Sequence, residues 1–266
     1  MKHIASRDNP DFRLLSRVLS GHRLPGERSD APSRVGLEGV HLCQSWLAHV
    51  GQPELAFFDA DRAANAELAE LLAAVEPSRV RLCEPALLKS ASQVVQGQGV
   101  MFVGVAPSPT VPARIRENCL WLDRVQDPGN LGTLLRTAAA AGIRHAYASK
   151  GCVGVWSPKV LRSGQGAHFV MTIHERQDLQ CLRARLDVPL LATALENAVS
   201  LYEAHLPEAA AWVFGNEGQG VDAEILQTAD LRLRIPQNPD VESLNVAVAA
   251  GICLFEQKRR HAAGAE

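Results

Sequence analysis

Short runs of apolar and β-branched residues alternate along the chain with longer Ala- and Leu-rich runs of helical period. This alternation predicts an α/β architecture built on largely parallel strands. In the N-terminal part, strands are predicted over residues 55–58, 80–83 and 100–105, with helical stretches over 63–75 and 86–92. The segment 106–112, APSPTVP, then places three prolines within seven residues. Proline fixes φ and removes a backbone donor, so neither a helix nor a central strand continues through it. A boundary is predicted there, with an N-terminal domain over 1–105, a linker over 106–117 and a C-terminal domain over 118–266. Beyond it, strands are expected at 119–125, 143–148, 168–173, 189–194, 211–215 and 231–235, a helix over 131–141 stopped by Gly142, and a last helix over about 243–260.

Composition narrows the class. With 266 residues, 47% hydrophobic and 21% charged, the chain is globular and large enough for two modest domains. A net charge of −2 excludes a uniformly basic nucleic-acid binder but leaves room for a local basic face. Lys2, Arg7, Arg13, Arg17, Arg23, Arg28 and Arg34 outnumber Asp8, Asp11, Glu27 and Asp30, and read either as phosphate contacts or as a solvated helical surface. Six scattered cysteines form no CxxC pair and have no histidine at zinc-ligand spacing, so they read as small buried residues of a reducing compartment. No apolar run approaches the roughly 18 residues of a membrane span, and a cytoplasmic protein without membrane partners is expected.

Three loops could carry chemistry. Residues 122–137, LDRVQDPGNLGTLLRT, read as a strand, a turn and a helix start, with Asn130 placed to cap the helix. Arg136 either reaches a surface carboxylate or clamps a phosphate, to which a guanidinium fork is suited. Residues 213–221, VFGNEGQGV, run an apolar strand into Gly215, Gly218 and Gly220, a GxxGxG spacing that matches neither the dinucleotide fingerprint nor a phosphate loop. Glu217 between these glycines reads as a ligand contact, an orienter of a nearby arginine, or a helix cap. Residues 233–247, LRIPQNPDVESLNVA, end a strand at Pro236 and point to Ser243 as the N-cap of the final helix, a natural seat for a ligand carboxylate or a developing alkoxide.

Taken together, in this order and spacing, the three loops resemble the signature motifs of the SpoU/TrmH family of RNA 2'-O-ribose methyltransferases, within the SPOUT superfamily. The segments 157–163 and 166–169 also look like the family's sequence between its first two motifs, so the resemblance spans roughly 118–260. At the N-terminus, residues 6–10 (SRDNP) and 37–41 (LEGVH) are similar to the ribosomal L30e-type module that often precedes this domain, although the stretch 25–33 is longer and more polar than that module suggests.

The resemblance implies a C-terminal parallel-sheet domain with a deep trefoil knot, which general topology rules disfavour, preceded by a smaller L30e-like α/β domain. It implies S-adenosylmethionine as methyl donor and a homodimer formed through the C-terminal domain. The substrate it implies is RNA, 23S ribosomal RNA first and transfer RNA as the alternative, with Arg7, Arg13, Arg17 and Arg162 as RNA contacts. The matching catalytic positions are Asn130, Arg136, Glu217, Ser243 and Asn245. Gly215, Ile235 and Leu244 match cofactor contacts made largely through backbone, with Leu195, Glu217 and Gly218 as further wall residues. Arginine is too basic to serve readily as a general base, so Arg136 is read as a phosphate holder that lowers the 2'-OH pKa. Two other classes stand against this reading. A non-catalytic RNA-binding protein would not need all five polar positions, and a nicotinamide-dependent enzyme would need the GxGxxG loop that is missing.

Overall fold

The computed structural model describes residues 1–21 and 33–262, which leaves Arg23, Arg28 and all of the 25–33 stretch save Ser33 outside the described residues. The chain divides into two compact units: Met1–Pro107 with Trp156–Arg162, and Ser108–Val155 with Ser163–Glu266.

The N-terminal unit runs β1 (Lys2–Ile4), α1 (Pro10–Leu19), β2 (Arg34–Glu38), α2 (Val40–His49), β3 (Leu55–Asp59), α3 (Ala66–Ala74), β4 (Val80–Cys83), α4 (Pro85–Ala91) and β5 (Val100–Val105). Its sheet has the order β1-β4-β3-β5-β2, in which β1, β4 and β3 are parallel and β5 is antiparallel to both neighbours. The mixed direction departs from the largely parallel expectation. Helix α1 starts where Pro10, whose missing N–H would have no intrahelical partner, takes the first turn and Asn9 Oδ1 accepts from Asp11 N at 2.9 Å. Its apolar stripe, Phe12, Leu15, Val18 and Leu19, packs with Leu87 and Leu88 of α4 over Phe57, Cys83, Met101 and Val103 of the sheet. Helix α2 comes so close to β5 that a Cβ on Gly104 would stand 2.3 Å from the Trp46 ring. Only a glycine admits that approach.

The second unit runs β6 (Cys119–Leu122), α5 (Pro128–Ala141), β7 (His145–Ser149), α6 (Pro158–Gly164), β8 (Thr172–Gln177), α7 (Leu179–Arg183), β9 (Leu190–Thr193), β10 (Val199–Ser200), β11 (Ala211–Phe214), α8 (Ala223–Thr228), β12 (Leu231–Arg234) and α9 (Val246–Ala262), with α6 up to Arg162 grouping with the first unit. Seven strands pair in parallel in the order β10-β12-β9-β11-β6-β7-β8. Strands buried on both faces need apolar residues throughout, and Ala211–Phe214 and Cys119–Leu122 are buried at every position. One face packs Trp121, Tyr147, Val213 and Leu190 with Leu179 and Leu182 of α7 and Ile225 of α8. Helices α5 and α9 pack together, and Gln257 of α9, itself buried, accepts from Trp212 Nε1 at 2.8 Å.

Two expectations are corrected. The strand predicted over 168–173 is a 3-10 turn, Ala167–Phe169, followed by β8 from Thr172, because left-handed Gly166 (φ +89°) starts a turn and His168 folds inward onto the Val155 carbonyl at 2.9 Å. The final helix starts at Val246, so Ser243 is not its N-cap. Asn245 takes that role, its Oδ1 accepting from Ala247 N at 2.9 Å and from Val248 N at 3.3 Å.

Candidate active site

Strands β12, β9, β11 and β6 lie side by side and point the same way, so the residues after them emerge along one edge of the sheet. Ile235 follows β12, Leu195 follows β9, Gly215 follows β11, and the 123–127 turn follows β6. Ligands of open α/β sheets bind at this carboxyl edge, where loops diverge and helix N-termini present free N–H groups.

The 123–127 turn ends on Asp127, whose side chain accepts from Asn130 N at 2.7 Å and thereby caps α5. Pro128 occupies the first helical turn and sets this frame, so Asn130 lies inside the helix instead of capping it. Its freed side chain turns to the neighbouring loops. Asn130 Nδ2 donates to Glu217 Oε1 at 3.1 Å, and Asn245 Nδ2 donates to Asn130 Oδ1 at 2.9 Å. Glu217 also accepts from Gln126 N at 3.2 Å and Asp127 N at 3.0 Å. It thus serves the α5 N-terminus and orients Asn130 together. Burial works to raise the Glu217 pKa, but the bonds from Asn130, Gln126 and Asp127 outweigh it and hold the carboxyl below its ordinary range.

These bonds bring Asn130, Glu217 and Asn245, from three loops far apart in sequence, into one network. They do not reach the other two polar candidates. Arg136 lies about 9 Å further along α5, is exposed, and has no hydrogen bond or ion pair among the described residues. The surface carboxylate it was offered as a partner is not there, and its guanidinium is uncommitted. Ser243 is likewise exposed and without a partner among the described residues.

The apolar positions frame the same edge. Gly215 is buried, and a Cβ on it would stand 2.2 Å from the backbone of Gly220 and Val221, so the 215–221 turn closes on itself only with glycine there. A Cβ on Gly218 would meet nothing nearer than 3.7 Å. Leu195 is 62% exposed, while Ile235 and Leu244 are half-buried. The backbone N–H and C=O groups of Leu195, Ile235 and Leu244 have no hydrogen-bond partner among the described residues.

Sequence reasoning missed Asp123, Arg124, Asp127 and Asn216, which tie the first two loops together through Asp123 Oδ2 (2.8 Å from Asp222 N) and Arg124 O (2.9 Å from Asn216 Nδ2). The Asp-Pro pair was the available signal for Asp127, since proline favours the position after a cap. In the other unit, Arg7 and Arg17 are exposed, Arg13 pairs with Asp8 at 2.5 Å, and Arg162 is half-buried on α6. Among the described residues no group of His, Cys, Asp and Glu could hold a metal ion, and no helix is long and apolar enough to cross a membrane.

A model of the SpoU rRNA methylase family matches residues 117–255, a span that holds all three loops. The chain belongs to the SpoU rRNA methylase family. It is 35% identical over 265 residues to an uncharacterized tRNA/rRNA methyltransferase of Synechocystis, covering 97% of this chain and 93% of that one. Over 139 residues it is 43% identical to the 23S rRNA (guanosine(2553)-2'-O)-methyltransferase RlmP of Bacillus subtilis, covering 51% of this chain and 56% of RlmP. The crystal structure of an RNA 2'-O ribose methyltransferase superposes with a TM-score of 0.77 at 27% identity, covering 97% of this chain and 99% of that one. The α/β fold with its parallel sheet is therefore the fold of this family, and the SpoU methylase region begins two residues before β6.

Proposed function

We propose that the chain transfers the methyl group of S-adenosylmethionine to a ribose 2'-OH of structured RNA, with 23S ribosomal RNA as the substrate. The observation that carries this reading is the Glu217–Asn130–Asn245 network at the carboxyl edge of the sheet, in a chain of the SpoU rRNA methylase family. The donor set suits an adenosine-bearing cofactor. Leu195, Ile235 and Leu244 offer apolar surface with free backbone N–H and C=O groups beside it, which is the combination that reads the edge of a purine. S-adenosylmethionine supplies a methyl group already activated on a sulfonium, so no metal is called for.

In this scheme S-adenosylmethionine, when bound, would supply an activated methyl group to the 2'-oxygen, and the hydroxyl proton would leave to water. Arg136 grips the adjacent phosphate and favours loss of that proton by its charge; a group with pKa above about 12 accepts no proton itself. Glu217 holds Asn130, Asn130 holds Asn245, and Ser243 and Asn245 position the ribose. Arg7, Arg13, Arg17 and Arg162 contact other phosphates of the RNA. The N-terminal unit acts as an L30e-like RNA-docking module. The C-terminal unit is knotted and forms a homodimer, for which Val248 and Phe255, exposed two turns apart on α9, offer an apolar face. The RlmP relative supports ribosomal RNA over transfer RNA, and the site of action is the cytoplasm.

The test is a radiolabelled methyl-transfer assay with mapping of 2'-O-methyl sites in total RNA from deletion and complemented strains. One ribosomal position is expected to lose its methyl group in the deletion. Arg136→Ala is expected to bind S-adenosylmethionine nearly normally and to lose methyl transfer by about two or more orders of magnitude. Near-normal turnover would remove Arg136 from the mechanism, and loss of a transfer-RNA methyl group instead would reassign the substrate.

A further inference from the structure

Arg124 holds φ at +55°, in the left-handed region that side-chain-bearing residues rarely occupy. Its guanidinium is fully engaged. Nε and Nη2 donate to the buried carboxylate of Asp123 at 3.2 and 3.1 Å, Nη1 donates to Gln219 Oε1 at 3.1 Å, and Nη2 lies 3.7 Å from Asp222 Oδ2. The backbone is engaged as well, N donating to Ser149 Oγ and O accepting from Asn216 Nδ2, both at 2.9 Å. Room for the stem comes from Gly151, where a Cβ would stand 2.6 Å from Arg124 Cγ. A strained backbone persists only where its surroundings over-determine it, and here segment 149–151 and the 216–222 turn enclose it from two sides.

The 216–222 turn is therefore fastened twice. Glu217 fastens it to the start of α5 through Gln126, Asp127 and Asn130. Arg124 fastens Asn216, Gln219 and Asp222 to the end of β6. Of the glycines assigned to the cofactor wall, Gly218 lies between the anchored residues Glu217 and Gln219, and Gly215 directly precedes the anchored Asn216. We propose that Arg124 is a positioning residue that latches this turn at the spacing S-adenosylmethionine requires, so that its loss weakens cofactor binding more than it slows methyl transfer. The inference rests on the assignment of the cofactor to this edge. An exposed ion pair by itself restrains little, but a guanidinium seated on a buried carboxylate and forked to a second loop fixes both direction and distance, which the point charge of lysine does not.

The experiment uses the full chain and compares wild type with Arg124→Gly, Arg124→Lys, Gln219→Ala and the Arg124→Gly/Gln219→Ala double variant. S-adenosylmethionine binding is read by calorimetry, and KM and kcat by radiolabelled methyl transfer to unmodified ribosomal RNA. Glycine accepts φ +55° without strain, so Arg124→Gly folds, as thermal melting checks, and its losses report on the guanidinium. Arg124→Gly is expected to raise both Kd and KM for S-adenosylmethionine about tenfold with kcat within about threefold. Arg124→Lys is expected to recover only part of that loss. The double variant is expected to bind no more weakly than Arg124→Gly alone, since both changes cut the same contact. A cofactor Kd for Arg124→Gly within about twofold of wild type, or a fall in kcat with Kd unchanged, overturns the proposal alone. Failure of the wild type to bind S-adenosylmethionine overturns the assignment of the edge and the proposal with it.

Discussion

His168 Nε2 lies 2.9 Å from the Val155 carbonyl, and burial drives the imidazole pKa down to about 4. The unfolded value is about 6.5, so between these values the unfolded chain binds a proton that the folded chain does not. Stability contributed by the neutral ring is therefore fully present above about pH 6.5 and falls as pH drops toward 4, by about 2 kcal/mol between about pH 7 and 5. Urea midpoints at those two pH values are expected to differ more in wild type than in His168→Gln, and equal pH sensitivity of the two would refute the assignment. Glu217 is shifted in the same direction, its carboxyl held below the ordinary range by the bonds it accepts, so the site network is kept at any pH above that depressed value and is lost only as pH falls through it. Mild acid weakens the His168 region while leaving Asn130 held. The sequence singled out Glu217 but not His168, because burial and hydrogen bonding, which decide each shift, belong to the folded state.

At the scale of elements, the helix starts decide what the polar side chains can do. Proline at the first turn of α5 makes Asp127 the cap and releases Asn130. The start of α9 at Val246 makes Asn245 both a cap, through Oδ1, and a partner of Asn130, through Nδ2. Both assignments differ by a few residues from those read in the sequence, since capping residues are interchangeable by type and only the backbone frame selects one. The turn after β11 makes a sharper demand. Gly215→Ala places a Cβ 2.2 Å from the Gly220 backbone, which cannot give as a side-chain tip would. The variant is expected to lose about 1–3 kcal/mol of stability and to bind S-adenosylmethionine at least about tenfold more weakly. Thermal melting and calorimetry on the same preparation check both, and wild-type values for the two would show that the turn tolerates a side chain.

At the scale of the molecule, the exposed Val248 and Phe255 of α9 argue for a second copy of the chain covering them. Sedimentation equilibrium is expected to give twice the 28.7 kDa chain mass, and charged substitutions at both positions are expected to shift it to the monomer; a monomeric wild type would contradict the dimer. Much of the second unit was legible beforehand. Strands β6, β9 and β11 announced themselves because parallel strands buried on both faces must be largely apolar runs, β12 showed instead the alternation Leu231-Arg232-Leu233-Arg234, and Gly142 and the proline-rich 106–112 segment marked ends that no helix passes. Strands β1 and β10 carried too few residues for a pattern, and in β2 the charged ends Arg34 and Glu38 and the central Gly36 interrupt the apolar run. The direction of β5, antiparallel to β3 and β2, is a property of pairing that periodicity does not encode. The sequence by itself determined the alternation of elements, the family, and the polar residues of the three loops, because each is a matter of residue type and order along the chain. Only the tertiary structure decided that Asn130, Glu217 and Asn245 meet while Arg136 and Ser243 stand apart from them, and that Arg124 is bound to two loops at once. Those are distances between segments up to 115 positions apart, and they are set by the parallel order of the strands and the close approach that glycine allows.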